Sequence, residues 1–315
     1  MGDAFINRLA YALGGVEGTV EQAAAAGLLS SPAQVLREAG FERHHRCAGE
    51  ESPYELARAC AAQLGELEGC DAIVYATTLP CNANLGSTNA FQESGDVKHV
   101  MDFPVSHLQA DLGLERAFVV GVTQQACTGL LGSIRLARAL LAAEPDLQRL
   151  LCLTADRFPP GARYEQSYSL ISDGAAGCLV SREPSGYRIL ACHAITNGAL
   201  ARASDDETIG SFFAYTHRLI QETLARAERT LADVAWIVPQ NMNVKAWQIL
   251  SRSLRFDFKR VAFPTLPEAA HVISGDNLIN LLHLERSGRI SSGDVLLLPM
   301  TGYGLNWQCL LLERT

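Results

Sequence analysis

The chain has 315 residues, of which 48% are hydrophobic, 19% charged and only 7% aromatic. A chain of this length and apolar content buries a large core, which excludes intrinsic disorder and small disulfide-stapled folds. Lys and Arg number 26 against 34 Asp and Glu, so the net charge of −8 favours neither nucleic acid nor an anionic membrane. No leader pattern opens the chain and no uncharged apolar run reaches about 18 residues, so we expect a soluble, cytoplasmic protein.

The nine cysteines are odd in number and form no CxxC pair. Most of them lie in apolar stretches, which is typical of buried thiols in a reducing compartment rather than of a disulfide framework or a zinc site. The histidines other than His271 show no ligand spacing either, so we expect no metal site. The cysteines are Cys47, Cys60, Cys70, Cys81, Cys127, Cys152, Cys178, Cys192 and Cys309.

Hydrophobic periodicity predicts helices and strands that alternate along the first part of the chain. In order, the predicted elements are helix 52–64, strand 71–78, strand 117–122, helix 127–143, strand 149–155 and strand 174–183. The first helix has Ser52 as its cap and Pro53 in its first turn, a combination that is typical of a helix start.

The same style of sequence resumes after about residue 185. The predicted elements there are strand 187–196, helix 213–227, strand 234–239, helix 244–254, helix 277–288 and a strand pair within 294–313. Continuous apolar strands between helices predict an α/β protein whose sheets are covered by helices on both faces. We expect two α/β halves, residues 1–183 and 184–315, without a close sequence repeat.

Cys127 is the first candidate for chemistry, because it follows a buried strand and opens a helix. That position directs N–H donors and the positive end of the helix dipole at the side chain, which favours a reactive thiolate. The alternative is a small apolar residue that fills space at a helix start.

His271 and Asp276 form the second candidate, in the segment EAAHVISGDNLINL. A loop histidine followed five residues later by an aspartate at a helix start can place the carboxylate beside the imidazole. Such a pair makes the imidazole a better base. The alternative is a structural histidine and an aspartate that caps the helix.

The Gly-rich turn GYGLNW, residues 302–307, is the third candidate. It could offer a backbone N–H to a developing oxyanion, or it could be a tight hairpin. It lacks the helix and spacing of a nucleotide fingerprint.

A local excess of cations is the fourth candidate, with only Asp257 among them. On an acidic protein the group could dock a phosphate-bearing or acidic partner, or it could be a solvated helix face. The cations are Lys245, Arg252, Arg255, Lys259 and Arg260.

Six segments resemble, in sequence order, the β-ketoacyl-acyl-carrier-protein synthase III branch of the thiolase superfamily. TQQACTGLLGSIRLA is similar to the nucleophile segment of that family, and SDGAAGCLV to its glycine-rich turn and strand. The other four similar segments are REAGFERHHRCAGEESPYELA, DAIVYATT, VAWIVPQNMNVKAW and GRISSGDVLLLPMTGYGLNWQCLLLE.

The resemblance implies a five-layered αβαβα thiolase fold built from two pseudo-duplicated halves, usually as a homodimer. It implies that Cys127 accepts the acyl group and that the N–H groups of Cys127 and Tyr303 form the oxyanion hole. It places Asn243 and Lys245 where the family contacts the pantetheine arm and the phosphate of CoA or of the carrier. No cofactor is implied, because acyl-CoA or a phosphopantetheinyl carrier is the substrate.

Two departures from the family pattern affect the expected reaction. Condensing members use Cys, His and Asn, whereas here Gln240 stands at the His position and His271 at the Asn position. The resulting Cys, His and Asp set resembles the divergent acyltransferase and starter-unit subgroup of secondary metabolism. In this reading Gln240 and Asn241 contact the acyl group or the acceptor.

The sequence therefore predicts an acyltransferase that moves an acyl group through a Cys127 thioester to a hydroxyl or amine, in polyketide-type secondary metabolism. The alternative is a carbon–carbon bond-forming enzyme that primes a starter unit or performs an atypical condensation. A third hypothesis, a non-catalytic partner of an active synthase, conflicts with the retained Cys127. The expected partners are acyl-CoA or an acyl-carrier protein, a second copy of the chain and, in some settings, a heteromeric synthase subunit.

Overall fold

The computed structural model describes residues 2–49, 51–167, 169–203, 205–303 and 306–315. The strands are β1 (Phe5–Leu13), β2 (Val16–Thr19), β3 (Arg43–Arg46), β4 (Ala72–Ala76), β5 (Phe118–Val122), β6 (Arg149–Asp156), β7 (Glu165–Gln166), β8 (Ser169–Leu170), β9 (Gly174–Ser181), β10 (Tyr187–Thr196), β11 (Val234–Ile237), β12 (Val295–Gly302) and β13 (Asn306–Arg314). The helices are α1 (Val20–Ala25), α2 (Ala33–Glu38), α3 (Pro53–Gln63), α4 (Thr88–Ser94), α5 (Pro104–Asp111), α6 (Gly129–Ala143), α7 (Asp205–Arg226), α8 (Val244–Leu254), α9 (Leu266–Ala269) and α10 (Asp276–Arg286).

The main sheet runs in the order β11-β12-β13-β10-β1-β9-β6-β4-β5. Strands from the first part of the chain occupy one side of this order, and β10 to β13 occupy the other. The two sides join through a short antiparallel pairing of Phe5 and Ile6 in β1 with Arg188 and Tyr187 in β10. The β4, β5 and β6 strands are mutually parallel where they pair, as expected for strands linked through helices.

The helices α6 and α10 lie between the two sides of the sheet. One hydrophobic cluster joins Ile134 of α6 and Leu281 of α10 to Val74 on one side and to Leu298 on the other. By length and hydropathy the segment Ala126–Ala143 would suit a membrane span, but here it forms part of this central layer. The central layer therefore contains α6 and α10, and the two sides of the sheet cover it.

The outer faces of the sheet carry the remaining long helices. Leu56 of α3 and Leu108 of α5 pack on Ile73, the neighbour of Val74 that points to the opposite face. On the other side, α7 and α8 cover β10 to β13, with Trp247 of α8 packed against Leu297. From one outer face to the other, the layers are helices, one side of the sheet, the helices α6 and α10, the other side of the sheet, and helices. This order confirms the predicted αβαβα architecture.

Most predicted elements are present, and the structure adds several short ones. Two of the differences from the prediction have clear physical causes. The helix predicted at 213–227 is the longer α7, because its first turns are polar and offer no apolar period. The strand β1 was not predicted from the sequence. Its alternation is interrupted where Arg8 takes a left-handed backbone conformation (φ 51°) and the pairing with β9 shifts between Asn7 and Ala10. The boundary between the two halves at 183 and 184 stays a prediction.

Close packing within the first side of the sheet gives a stability prediction. A Cβ added at Gly177 in β9 would lie 2.9 Å from the carbonyl oxygen of Cys152, so Gly177→Ala forces the strands to move. We expect Gly177→Ala to lower the free energy of unfolding by about 1–3 kcal/mol in urea denaturation. The control is Gly198→Ala, where nothing lies within 4 Å of the added atom; a loss there as large as at Gly177 would contradict the packing argument.

Candidate active site

Cys127 lies on a sharp turn between β5 and α6, as the sequence predicts. It belongs to the 3₁₀ turn Ala126–Thr128, which runs directly into α6. Gln124 and Ala126 on this turn have left-handed backbone conformations, with φ of 65° and 46°. Such conformations are costly for residues other than glycine, and they persist where surrounding contacts hold them.

Strand β13 supplies one of those contacts. The amide of Gln308 donates from Nε2 to Oε1 of Gln125 at 2.5 Å and to Oγ1 of Thr128 at 3.2 Å. A Cβ at Gly132 would overlap the same Gln125 side chain, so a glycine in α6 leaves the space for it. The turn that presents Cys127 is thus held from both the sheet and the helix.

His271 and Asp276 meet Cys127 in a continuous chain of contacts. Asp276 Oδ2 lies 2.5 Å from His271 Nδ1, and His271 Nε2 lies 3.4 Å from Cys127 Sγ. Both the imidazole and the carboxylate are buried. The structure therefore brings together all three residues that the sequence predicts to be catalytic.

The backbone of His271 is fixed by a neighbouring segment of chain. Its N–H donates to the carbonyl of Leu170 at 2.9 Å, and its carbonyl accepts from the N–H of Ser172 at 2.9 Å. Asp276 is the first residue of α10, and its carboxylate also accepts from the N–H groups of Asn241 and Val272, each at 2.7 Å. With three N–H donors on the two oxygens, counting that of His271, the carboxylate is fixed as an acceptor.

The protonation of His271 depends on two opposing effects. Burial alone would lower the pKa of His271, but the charges of Asp276 and Cys127 and their hydrogen bonds outweigh it and raise the pKa well above its ordinary value. The pairing with Asp276 therefore favours the protonated form of the imidazole.

Cys127 and His271 open onto a cavity of about 630 Å³. Its walls are mainly apolar, with a few polar side chains near the nucleophile, as is common for pockets that hold small molecules. The apolar lining residues are Leu79, Ala126, Phe158, Pro159, Ala162, Ile171, Phe212, Phe213, Met242, Ala246, Ile273 and Trp307. Within the described part of the chain, no three His, Cys, Asp or Glu side chains converge as metal ligands.

The end of β12 lies against the nucleophile. A Cβ at Gly302 would be 3.3 Å from the backbone nitrogen of Cys127 and 2.8 Å from the carbonyl oxygen of Gln125. Tyr303 follows directly, lines the cavity and is 58% exposed. The expected oxyanion hole, from the N–H groups of Cys127 and Tyr303, thus has its two chain segments side by side; Gly304 and Leu305 of the predicted turn lie outside the described residues.

The two residues predicted to contact the acyl group or the acceptor have different positions. Gln240 lines the cavity, and its Oε1 accepts from the N–H of Thr301 at 2.5 Å. Asn241 does not line the cavity, which corrects the prediction. It is fully buried and donates its side-chain amide to Thr265 Oγ1 and to the carbonyl of Ala270, while its N–H binds Asp276. Asn241 therefore positions the carboxylate instead of contacting substrate.

The two residues predicted to bind pantetheine or CoA also have different positions relative to the cavity. Asn243 lines the cavity and caps α8, its Oδ1 accepting from the N–H of Lys245 at 2.9 Å. Lys245 does not line the cavity; its side chain is exposed and lies 3.6 Å from the carboxylate of Glu38. In the neighbouring cation group, Arg260 donates to the carbonyls of Val234 and Ala235, so it has a structural role.

Sequence reasoning did not identify two hydroxyl groups beside the nucleophile. The hydroxyls of Thr78, two residues after the end of β4, and of Ser274, in the turn before α10, both reach the carbonyl oxygen of Ala126. The only available signal was position, since Thr78 ends a predicted strand and Ser274 lies between His271 and Asp276.

Comparison with known proteins gives matches along most of the chain. The family model 3-oxoacyl-[acyl-carrier-protein] synthase III matches residues 123–198, and the model of its C-terminal region matches residues 224–314. The beta-ketoacyl-[acyl-carrier-protein] synthase III of Laribacter hongkongensis is 28% identical over 297 residues, which cover 89% of each protein.

Solved structures of low sequence identity share the fold. The synthase III from Thermus thermophilus has a TM-score of 0.82 at 20% identity and covers 99% of both chains. ChlB3, described as an acyltransferase, has a TM-score of 0.80 at 19% identity and covers 99% of this chain and 98% of its own. OleA from Xanthomonas campestris has a TM-score of 0.76 at 14% identity, with coverage of 99% and 98%.

The two family models together span more than half of the chain, and their matches include both the Cys127 turn and the His271 loop. We conclude that the chain belongs to the 3-oxoacyl-[acyl-carrier-protein] synthase III family of thiolase-fold enzymes.

Proposed function

We propose that the protein is an acyltransferase that moves an acyl group from CoA or an acyl-carrier protein, through a thioester on Cys127, to a hydroxyl or amine. The observation that carries the proposal is the buried chain from Asp276 through His271 to Cys127, with contacts of 2.5 and 3.4 Å. A nucleophile, a base and a group that orients the base are the parts that acyl transfer to a heteroatom requires.

The first step loads the enzyme. The Cys127 thiolate attacks the carbonyl carbon of the acyl thioester, and the N–H groups of Cys127 and Tyr303 receive the negative oxygen of the tetrahedral intermediate. The intermediate collapses with cleavage of the bond to the departing sulfur. The proton of His271 passes to that sulfur, so the products are acyl-Cys127, a free thiol and a neutral imidazole.

The second step transfers the acyl group from Cys127 to the acceptor. His271, now neutral, takes the proton of the incoming hydroxyl or amine as that group attacks the carbonyl carbon of acyl-Cys127. A second tetrahedral intermediate collapses with cleavage of the bond to Sγ. The product ester or amide leaves, and thiolate and imidazolium are restored.

Gln240 and His271 together favour transfer over condensation. Decarboxylative condensation needs donors that hold the enolate oxygen, whereas His271 has one ring nitrogen on Asp276 and the other facing Cys127. Gln240 is neutral and cannot exchange a proton. The described acyltransferase activity of the structural neighbour ChlB3 also supports transfer.

The second candidate function is carbon–carbon bond formation, as a starter-unit or atypical condensing enzyme. The names of the curated relatives favour it, because they are synthases. A non-catalytic partner role has less support, because a subunit without chemistry has no need of the assembled Cys127, His271 and Asp276.

The setting of the reaction is also part of the proposal: a cytoplasmic homodimer that acts in secondary-metabolite biosynthesis. Support for a homodimer comes from β5, the edge of the main sheet, where Phe118 and Val119 are exposed. Val97, Met101 and Phe103, from the preceding segment, are exposed as well. An apolar edge strand is a liability unless another chain covers it.

Replacement of the nucleophile tests the loading step. We expect wild-type protein to gain the mass of one acyl group when it is incubated with a panel of acyl-CoAs and acyl-carrier proteins, and Cys127→Ala to gain none. The measurement is intact-protein mass spectrometry, with Cys47→Ala as the control because that thiol is partly buried beside Asp173. An adduct that persists in Cys127→Ala would contradict the assignment of the nucleophile.

Replacement of the base separates the two steps. We expect His271→Gln to slow transfer from acyl-Cys127 to a hydroxyl or amine acceptor by about 10²–10⁴-fold, because no base then takes the proton of the acceptor. Loading falls less, since the thiolate that still forms can attack. Single-turnover rates of the two steps give the comparison, and an equal loss in both would show that His271 serves only the thiol.

The pH dependence of transfer follows from the pairing of His271 with Asp276, which raises the pKa of the imidazole and remains when Cys127 is a neutral thioester. The base acts only when unprotonated, so the single-turnover transfer rate rises as the pH passes the pKa of His271. The carboxylate of Asp276 stabilises the imidazolium, so Asp276→Asn lowers that pKa. We therefore expect Asp276→Asn to move the rise to lower pH while it reduces the maximal rate, and a rise that stays in place would contradict the pairing.

A further inference from the structure

We propose that the hydroxyls of Thr78 and Ser274 hold the carbonyl of Ala126 and thereby aim the N–H of Cys127 into the oxyanion hole. Both are positioning residues, since they act through the peptide bond between Ala126 and Cys127 and do not contact the acyl group in this role. The inference rests on the proposed function only in its loading step, which acyl transfer and condensation share.

The contacts form a small triangle around one oxygen. Thr78 Oγ1 lies 3.0 Å from the carbonyl oxygen of Ala126, Ser274 Oγ lies 3.2 Å from the same oxygen, and the two hydroxyls are 3.1 Å apart. Each hydroxyl has one proton to donate, so at most two of the three contacts are made at one time. In every arrangement the carbonyl receives at least one hydrogen bond.

The geometry of the peptide unit links the position of the Ala126 carbonyl to the direction of the Cys127 N–H. In a planar trans peptide the C=O of one residue and the N–H of the next point in opposite directions. Fixing the carbonyl of Ala126 on the side of Thr78 and Ser274 therefore points the N–H of Cys127 to the opposite side. Gly302, the residue before Tyr303, lies close to the backbone nitrogen of Cys127, so a donor from that segment can share the same oxyanion.

The peptide needs such a grip because its preceding residue is strained. Ala126 has a φ of 46°, a conformation that an alanine rarely adopts and that costs about 1–2 kcal/mol. The N–H of Gly129 also donates to the carbonyl of Ala126, from the start of α6. Without the two hydroxyls the carbonyl loses the partners on the side of Thr78 and Ser274, so the peptide between Ala126 and Cys127 could rotate to relieve that cost. Rotation would turn the N–H of Cys127 away from the developing oxyanion.

Thr78 is itself fixed by a buried carboxylate. Asp156 at the end of β6 accepts from the N–H of Thr78 at 2.9 and 3.0 Å, from the N–H of Leu79 at 3.1 Å and from the side-chain amide of Asn82 at 2.8 Å. Burial raises the pKa of Asp156 to about 6, against the lowering effect of these donors, so the carboxylate is ionised at neutral pH. The backbone of Thr78 is therefore held where its hydroxyl reaches Ala126.

Ser274 links the same peptide to the base. It lies in the turn between His271 and Asp276, which a bond from the N–H of Gly275 to the carbonyl of Val272 closes at 2.7 Å. One loop therefore positions both the N–H of Cys127, through Ser274, and the imidazole of His271. A shift of that loop would move both together.

The test compares two reactions of the same thiol. Loading from acetyl-CoA, hexanoyl-CoA or p-nitrophenyl acetate passes through an oxyanion, whereas alkylation by iodoacetamide does not. Rapid-quench intact-protein mass spectrometry measures the rate of loading. The same method measures the rate at which iodoacetamide alkylates Cys127. The variants are Thr78→Val, Ser274→Ala and their double variant, with Thr78→Ser as the rescue because it keeps the hydroxyl.

Thr77→Val is the matched control. Thr77 is the neighbour of Thr78, is buried, and has a hydroxyl without a hydrogen-bond partner among the described residues. We expect the double variant to load about 10²-fold more slowly, the scale of a lost oxyanion donor, while its alkylation rate stays within about twofold of wild type. Thr78→Ser and Thr77→Val should load at nearly the wild-type rate.

Two outcomes would overturn the inference. Equal losses of loading and alkylation would show that the hydroxyls act on the thiol or on folding, and unchanged loading in the double variant would show that the peptide keeps its direction without them. Failure of the proposed function gives a different result: wild type would then load from p-nitrophenyl acetate but fail to transfer the acyl group to hydroxyl or amine acceptors. In that case the loading rates of the Thr78 and Ser274 variants can still be measured with p-nitrophenyl acetate.

Discussion

The buried hydrogen bond between His271 and Asp276 is the contact on which the site depends. It fixes which ring nitrogen faces Cys127 and raises the pKa of the imidazole against the effect of burial. The carboxylate can perform this role because the N–H groups of Asn241 and Val272 hold it in place. A buried carboxylate without such donors would be costly and would take up a proton.

The layered fold explains how residues 144 positions apart meet. The two helices of the central layer, α6 and α10, both begin at the cavity: the turn with Cys127 leads into α6, and Asp276 is the first residue of α10. Because apolar contacts with both sides of the sheet fix these helices, their starts have a fixed separation. Nucleophile and base are therefore placed by the core of the protein rather than by surface loops.

The sequence predicted the parts of the site that have a local pattern. Cys127 follows a strand and opens a helix, and His271 precedes a helix-starting aspartate by five residues, so both were identifiable. The role of Asn241 was not, because its partners Thr265 and Ala270 are distant in sequence and only the fold brings them near. The placement of Lys245 beside Glu38 and outside the cavity lining, and β1 with its left-handed Arg8, depend in the same way on tertiary contacts.

The most direct test of the central claim follows the fate of the acyl group on Cys127. Acyl-enzyme prepared in advance is offered an alcohol, an amine and a malonyl thioester in competition, and the products and released CO₂ are measured for wild type and His271→Gln. If the protein is an acyltransferase, we expect an ester or amide in equal amount to the acyl group lost. This product forms without release of CO₂ and depends on His271. Release of CO₂ with a β-ketoacyl product, formed in preference to the ester and amide, would contradict it.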